Sequence, residues 1–340
     1  MKINTMKRAV ALGAAGLTAF ALAACAPSAP EPTTAPTPTE SADAGPDLTP
    51  ATIKLILAPV FYEPVYIAEE QGLFADLGLT VEIVPGGTAN ENTAQLIAGQ
   101  ADIAMSSAVA LIPAVAQGVP LLTVLGATSS DPDVVTSGLL ATADSGITGP
   151  GDFAGKTICL QGLNETTHLG TLILAKEAGV AADEMTFVQI PLPNLVQSVV
   201  DGTCDVGYPI GNAYAAGLEQ GLVQVGEPSV EALAGGPSVT YAATRDWIAA
   251  NESALTRFQQ AVAEAAELGR ADNFALIREV QLERSQTPPE VIKSQVLAGY
   301  QTDMFVSGWT KTLDGMAEFG MLDRQMPYTE FVSDLAPMQP

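Results

Sequence analysis

The residue types able to recognise or transform a small molecule gather at a few short stretches of this 340-residue sequence. Phe61, Tyr62 and Glu63 follow one apolar run, Thr88 a second, and Ser106 and Ser107 a third. Further along come Asn164, Thr166, Thr167 and His168, then Asn194, then Tyr208 and Asn212. Hydroxyls, amides and aromatic rings with few charges make the inventory of a recognition site. Covalent chemistry is harder to assemble. His168 is the single histidine, which excludes a multi-histidine metal centre, and any Ser-His-Asp triad would have to use it. The patterns of a nucleophile elbow, a P-loop and a dinucleotide fingerprint are missing, and Asp131-Pro132-Asp133 reads as an ordinary acidic turn. No catalytic residue, metal or cofactor is expected.

These stretches matter because of what precedes and follows them. Apolar runs of four to six residues alternate with segments of helical period. Strands are expected at 53–57, 80–84, 102–105 and 121–125, and helices at 63–71, 91–98 and 108–117, closed by Gly72, Gly99 and Gly118. The pattern then repeats, with strands at 156–161, 186–189 and 205–208 and helices at 167–178 and 194–201. Such alternation predicts an α/β chain whose parallel sheets are covered on both faces. In such sheets ligands sit outside the carboxyl ends of strands, beside helix N-termini, which is where the candidate residues stand. Segments 127–142 and 238–244 read as two crossings between halves. The last 95 or so residues read as helical, with Leu255, Phe258, Val262, Ala265 and Leu268 on one face.

Each candidate also has a plainer reading. Ser106, Thr166 and Asn194 suit helix N-caps, a role compatible with ligand contact. Phe61, Tyr62 and Tyr208 suit a core. Glu63 suits a helix dipole; facing a cleft, it would favour a ligand with an amine or N–H edge.

Residues 2–25 bear on where the chain is expected to work. Lys2, Lys7 and Arg8 precede an apolar run that ends Leu22-Ala23-Ala24-Cys25, the make-up of an export signal. The run is too short for a confident membrane span, which takes roughly 20 residues. Residues 26–50 carry seven prolines among Ser, Thr, Ala and Glu and predict an extended, unfolded tether. A formal net charge of −24 excludes nucleic acid and anionic lipid as partners. Cys159 and Cys204 fall in apolar runs expected to be neighbouring parallel strands. Because disulfide geometry is demanding, two buried free thiols are expected, although an exported protein permits a bond.

Several motifs together resemble one family. Leu22-Ala23-Ala24-Cys25 resembles the lipobox of bacterial lipoproteins, whose cysteine becomes the lipidated first residue. Tyr66-Ile67-Ala68-Glu69-Glu70-Gln71-Gly72-Leu73-Phe74, Leu96-Ile97-Ala98-Gly99-Gln100-Ala101-Asp102, Ala116-Gln117-Gly118-Val119-Pro120, Gly155-Lys156-Thr157-Ile158 and Thr167-His168 are similar, in that order, to segments of ABC-transporter solute-binding proteins for nitrate, sulfonates, taurine and the thiamine pyrimidine precursor. The resemblance covers about 53–245. It implies a two-lobed periplasmic-binding-protein fold (type II), each lobe a parallel-rich sheet flanked by helices, with a two-strand hinge. The expected organisation is a signal peptide at 1–25, a tether at 26–50, lobe 1 at 51–134 with 245–340, and lobe 2 at 135–244. The final helices are expected to pack back on lobe 1.

The resemblance further implies a monomeric receptor outside the cytoplasm, held to the bacterial cell membrane by lipid on Cys25. It would close on a small molecule and deliver it to an ABC permease and its ATPase. The cleft would hold Phe61, Tyr62, Glu63, Thr88, Ser106, Ser107, Asn164, Thr166, Thr167, His168, Asn194, Tyr208 and Asn212. Two ligand classes stay open. No Lys or Arg falls in these loops, so an oxyanion would rely on backbone N–H groups and hydroxyls. Alternatively Phe61, Tyr62 and Tyr208 would sandwich a flat heterocycle whose edge Glu63 and Asn164 read. Two other functions are weighed: an exported sensor or scavenger without an importer, and an enzyme like the related thiamine-pyrimidine synthases. Against the enzyme stand the export signal, the single histidine and the lack of a cysteine-rich motif.

Overall fold

The computed structural model describes residues 48–128, 135–233, 236–297 and 299–340. The export signal with Cys25, most of the tether and Asp131-Pro132-Asp133 lie outside the described residues. Two five-stranded sheets organise the body. Strands β1 (Ala51–Leu57), β2 (Leu79–Pro85), β3 (Ile103–Ser106) and β4 (Leu121–Gly126) belong to the first. Strands β5 (Leu139–Thr142), β6 (Thr157–Leu160), β7 (Thr186–Gln189), β8 (Val206–Gly207) and β9 (Leu222–Gly226) form the second. The chain then returns through β10 (Thr240–Thr244) to the first.

The two sheets have one strand order. The first runs β2-β1-β3-β10-β4 and the second β7-β6-β8-β5-β9. In each, three parallel strands come from alternating strand and helix: Ile53 pairs with Val81 and Leu55 with Ile103, while Ile158 pairs with both Phe187 and Val206. The fourth strand of each sheet is antiparallel and is the one that arrives from the other lobe. Residues 240–244, expected in lobe 2, therefore belong to lobe 1. Their apolar run Tyr241-Ala242-Ala243 is fully buried between β3 and β4, where a free crossing would leave backbone groups unpaired. The antiparallel strands β5 and β10 carried no alternation with helices, so the expected parallel pattern passed over them; β9, which follows the helix Asn212–Glu219, was not read as a strand.

Long strands with buried residues on both faces need cover on both. One face of the first sheet meets the helices Glu63–Glu70 and Glu252–Arg270. Leu255, Phe258, Val262 and Ala265 are buried there, and Phe258 stacks on Phe74 at 5.9 Å. Leu268, expected on that face, is exposed. The edge of β4 is closed by the chain's end: Thr123 N–H donates to Phe331 O at 2.8 Å and Ser333 N–H to Thr123 O at 2.9 Å.

The final helices do not all return to lobe 1. Val306–Glu318 lies against Thr166–Glu177 of lobe 2, where a side chain on Gly315 would run into Ile173. Lys176 and Glu318 pair across that contact. Ser294 in turn donates to Glu219 of the Asn212–Glu219 helix at 2.7 Å. The apolar faces of these helices find lobe 2 as near a surface as lobe 1.

Cys159 and Cys204 form a disulfide, contrary to the expected thiols. Cys204 stands outside a strand, two residues before β8, so it meets Cys159 of β6 on a diagonal with a Cα–Cα distance of 5.9 Å, within disulfide reach. Among the described residues no helix is long and apolar enough to cross a membrane.

Candidate functional site

In lobe 1 the carboxyl end of β2 is built to start a helix. Gly86 has no room for a side chain, since a Cβ there would lie 2.5 Å from Leu57 O. Buried Asn92 holds the turn by accepting from Gly87 N–H and donating to Met105 O, both at 2.9 Å. Thr88 caps Ala89–Ile97 in a capping box: Glu91 N–H donates to its hydroxyl, and its own N–H donates to the Glu91 carboxylate. Beside it the Thr93 hydroxyl donates to Ala89 O, with Ser106 Oγ 2.6 Å away. Ser107 caps the next helix, Ala108–Ala116, by accepting from Ala110 N–H. Thr88, Ser106 and Ser107 are thus all engaged by the chain, as caps or as a brace on Ala89.

After β1 the chain turns through Phe61 in the left-handed region, φ 55°. The Phe61 ring meets Tyr300 edge-on at 5.6 Å, and Tyr62 meets Tyr66 at 5.9 Å. Glu63 is buried and accepts from Gln281 Nε2 at 2.7 Å, and Gln281 in turn accepts from Gln295. Burial pushes the Glu63 carboxyl above its ordinary range. Burial and the Glu63 charge together hold the hydroxyls of Tyr62, Tyr241 and Tyr300 protonated. Glu63 Oε1 is held in this inner network of lobe 1, and Oε2 is buried without a partner.

In lobe 2 the stretch after β6 faces lobe 1. Asn164 adopts φ 56°, is exposed, and donates its N–H to His168 Nδ1 at 2.9 Å. Glu165 precedes the Thr166–Glu177 helix but makes no side-chain cap to it. Its carboxylate crosses to lobe 1 and accepts from Asn90 N–H at 3.0 Å, while Asn90 Nδ2 donates to Leu163 O at 3.0 Å. Thr166 Oγ1 donates to Ser238 O, and Thr167 Oγ1 is buried without a partner. The His168 ring lies 4.5 Å from Phe187, and burial pushes its pKa down to about 4, so the imidazole is neutral. Because Nδ1 accepts, Nε2 carries the proton. His168 lines a cavity of about 470 Å³ with Val109 and Pro113 from lobe 1, Leu172 and Phe187 from lobe 2, and Met321.

The other expected residues are scattered. Asn194 is exposed in the first turn of Leu192–Val200 and offers Ser198 only its carbonyl. Asn212 opens its helix with Oδ1 buried and unpartnered. Tyr208 is buried beside Ser137, Ser229 and Glu227. Ser137 Oγ donates to Glu227 Oε1 at 3.0 Å, and the Ser229 hydroxyl donates to the same oxygen, which ties the first crossing segment to the residues that follow β9. Burial pushes the Glu227 carboxyl up to about 7. The residues that the sequence did not single out are therefore Asn90, Ser137, Glu227 and Ser229. Glu165 lies inside the stretch 164–167 that the resemblance placed in the cleft, but without a role of its own there.

What the site can do follows from this list. Helix starts from both lobes meet at Asn90 and Glu165, and aromatic rings lie at the first lobe's strand ends. Three carboxylates are buried, and no Lys or Arg joins the contacts described between the lobes' helix starts. The arrangement is suited to holding a small molecule by N–H groups, hydroxyls and rings.

Comparisons with known proteins agree with this architecture. The chain is 26% identical over 237 residues to a 4-amino-5-hydroxymethyl-2-methylpyrimidine phosphate synthase of Aspergillus parasiticus, covering 65% of this chain and 67% of that protein. It is 22% identical to a binding protein of Bacillus subtilis, YtlA, over 84% of this chain and 88% of that one. The structure superposes on the alkanesulfonate-binding protein SsuA of Xanthomonas axonopodis, bound to MOPS, with a TM-score of 0.71 and 16% identity, over 84% of this chain and 98% of that one. The two-lobed periplasmic-binding-protein fold is thereby shown. The profile described as NMT1/THI5 like matches residues 62–272, and the chain belongs to that family.

Proposed function

We propose that this chain is the extracytoplasmic solute receptor of an ABC importer, held to the membrane by lipid on Cys25. Its lobes, taken as 51–128 with 240–340 and 135–239, close on a small molecule and present it to the permease. The observation that carries the reading is the contact of Asn90 with Glu165 and Leu163, which brings helix starts of two separate sheets together. A ligand that favours the closed state must touch both sides of that seam. The fold of SsuA and the binding protein YtlA support the class of function.

The ligand we favour is a neutral aromatic heterocycle such as a pyrimidine, held between rings and hydroxyls; the alternative is a small oxyanion such as a sulfonate or nitrate. The name of the A. parasiticus relative supports the heterocycle and also supports a second reading, in which the chain transforms a pyrimidine. A receptor without an importer would bind in the same way.

A thermal-shift screen of residues 26–340 against pyrimidines, flavins, sulfonates, taurine and nitrate tests the receptor. A ligand at 100 times its Kd adds about 2.7 kcal/mol of stability. Small-angle scattering should then show compaction with the compound found. A confirmed ligand that leaves the scattering unchanged rules out lobe closure, and a ligand recovered chemically altered rules in the enzyme.

A further inference from the structure

The start of the Ala89–Ile97 helix is the natural oxyanion site of lobe 1: a nine-residue helix after a glycine turn at a strand's carboxyl end. Its N–H donors are mostly taken within the chain. Gly87 donates to Asn92 Oδ1, Thr88 to the Glu91 carboxylate, Glu91 to Thr88 Oγ1 and Asn92 to Thr88 O. The remaining pair, Ala89 and Asn90, faces Glu165, which comes from the other lobe.

The geometry around Glu165 is specific. The residue is only 7% exposed. A Cβ on Gly162 would lie 2.4 Å from its carboxyl group, so the glycine makes room for it. Its own helix receives no side-chain cap from it. The Asn90 side chain fastens the same seam by donating to Leu163 O. Glu91 adds a second negative charge beside it.

We infer that Glu165 is a specificity-determining residue, a carboxylate from lobe 2 that occupies the oxyanion place of lobe 1 and bars oxyanions from it. The inference rests on the receptor reading above and narrows its ligand to one without an anionic group at that helix start. A sulfonate entering there would have to displace a carboxylate already bound to the Asn90 N–H. It would also meet the charge of Glu91.

Methanesulfonate is the probe, titrated calorimetrically into the wild-type protein, Glu165→Gln and Glu165→Ala. The expected order of affinity is wild type weakest, Glu165→Gln intermediate and Glu165→Ala tightest. Glu165→Gln keeps the acceptor and loses the charge, whereas Glu165→Ala frees the donors, with a gain of about tenfold or more, the scale of one charge-assisted hydrogen bond. A merely structural role would lower affinity in both variants. Methanesulfonate binding the wild type as tightly as the variants overturns the inference. Should Glu165→Ala fail to fold, the comparison of wild type with Glu165→Gln decides. Compaction of the wild type by a heterocycle reports on the receptor reading separately, so the two can fail independently.

Discussion

The two sheets share a strand order and are held in different ways. The first has strands of four to seven residues, wrapped on one face by the nineteen-residue helix Glu252–Arg270 and closed at the β4 edge by the chain's end. The second has strands of two to five residues, with β8 only two long, and a disulfide from β6 to the residues leading into β8. In the first sheet, apolar burial under the returning helix Glu252–Arg270 supplies much of the cohesion. In the second, a covalent bond adds to the packing by limiting the unfolded chain. One topology is thus stabilised by two unrelated means, and each can be removed without touching the other.

Removing Phe258 strikes the first means hardest. The ring is fully buried, stacked on Phe74 and edge-on to Tyr241 at 5.6 Å. Phe258→Ala should cost about 3–5 kcal/mol in urea denaturation. Hydrogen exchange should rise in β1, β3 and β10 before it rises in β6. Equal loosening of both sheets would mean that the lobes unfold as one unit.

Reduction, or Cys204→Ser, strikes the second. The bond spans 45 residues, for which chain entropy gives about 4 kcal/mol. The expected signature is faster exchange and proteolysis within 157–207, with Glu252–Arg270 still protected. Loss of protection in lobe 1 first would contradict the division.

A third difference is where each lobe buries charge. Glu63 sits inside lobe 1 with Gln281 and the tyrosines, whereas Glu227 follows β9 and lies beside the first crossing segment with Ser137, Ser229 and Tyr208, with the charge of Glu231 nearby. Glu227 has its carboxyl raised to about 7 in the folded chain, against about 4.3 in an unfolded one. The stabilisation is complete below the unfolded value and is lost as pH rises through 7. Melting temperature should fall between pH 5 and pH 8, by up to about 3 kcal/mol of stability from this group. Glu63 and Glu165 add to the same direction. Glu227→Gln should flatten part of the profile, and an unchanged profile would assign the effect to the other two.

How much of this was legible in the sequence differs between the regions in the same way. The parallel strands and their helices were readable because apolar period is local; the caps were expected at Ser106, Thr166 and Asn194, whereas Thr88 and Ser107 do the capping, since cap position turns on the exact residue at which each helix starts. Strands β5 and β10 were not, because each is defined by a sheet made elsewhere in the chain. The disulfide was missed because register places Cys204 off the strand, and no pattern of neighbours encodes register. The contact between Glu165 and Asn90 was missed because the two lie 75 positions apart. The chemistry at one helix start was visible, and the side chain that crosses to it was not.

The smallest effect tests that last distinction. Thr88 caps its own helix, and Ser107 does the same for the next, whereas the residue that opens Thr166–Glu177 sends its carboxylate to lobe 1. Thr88→Ala should therefore cost about 1 kcal/mol, the ordinary value of an N-cap, and Thr88→Ser should restore most of it. The first turn frayed by Thr88→Ala carries the Asn90 N–H that meets Glu165, so the loss need not stay local. If the seam depends on that turn, ligand-free scattering of Thr88→Ala will be more expanded than the wild type, and Ser107→Ala, of similar cost, will not expand it. Equal scattering from both variants would place the cohesion of the seam in the Asn90 side chain and Leu163 O, leaving Glu165 to act on specificity alone.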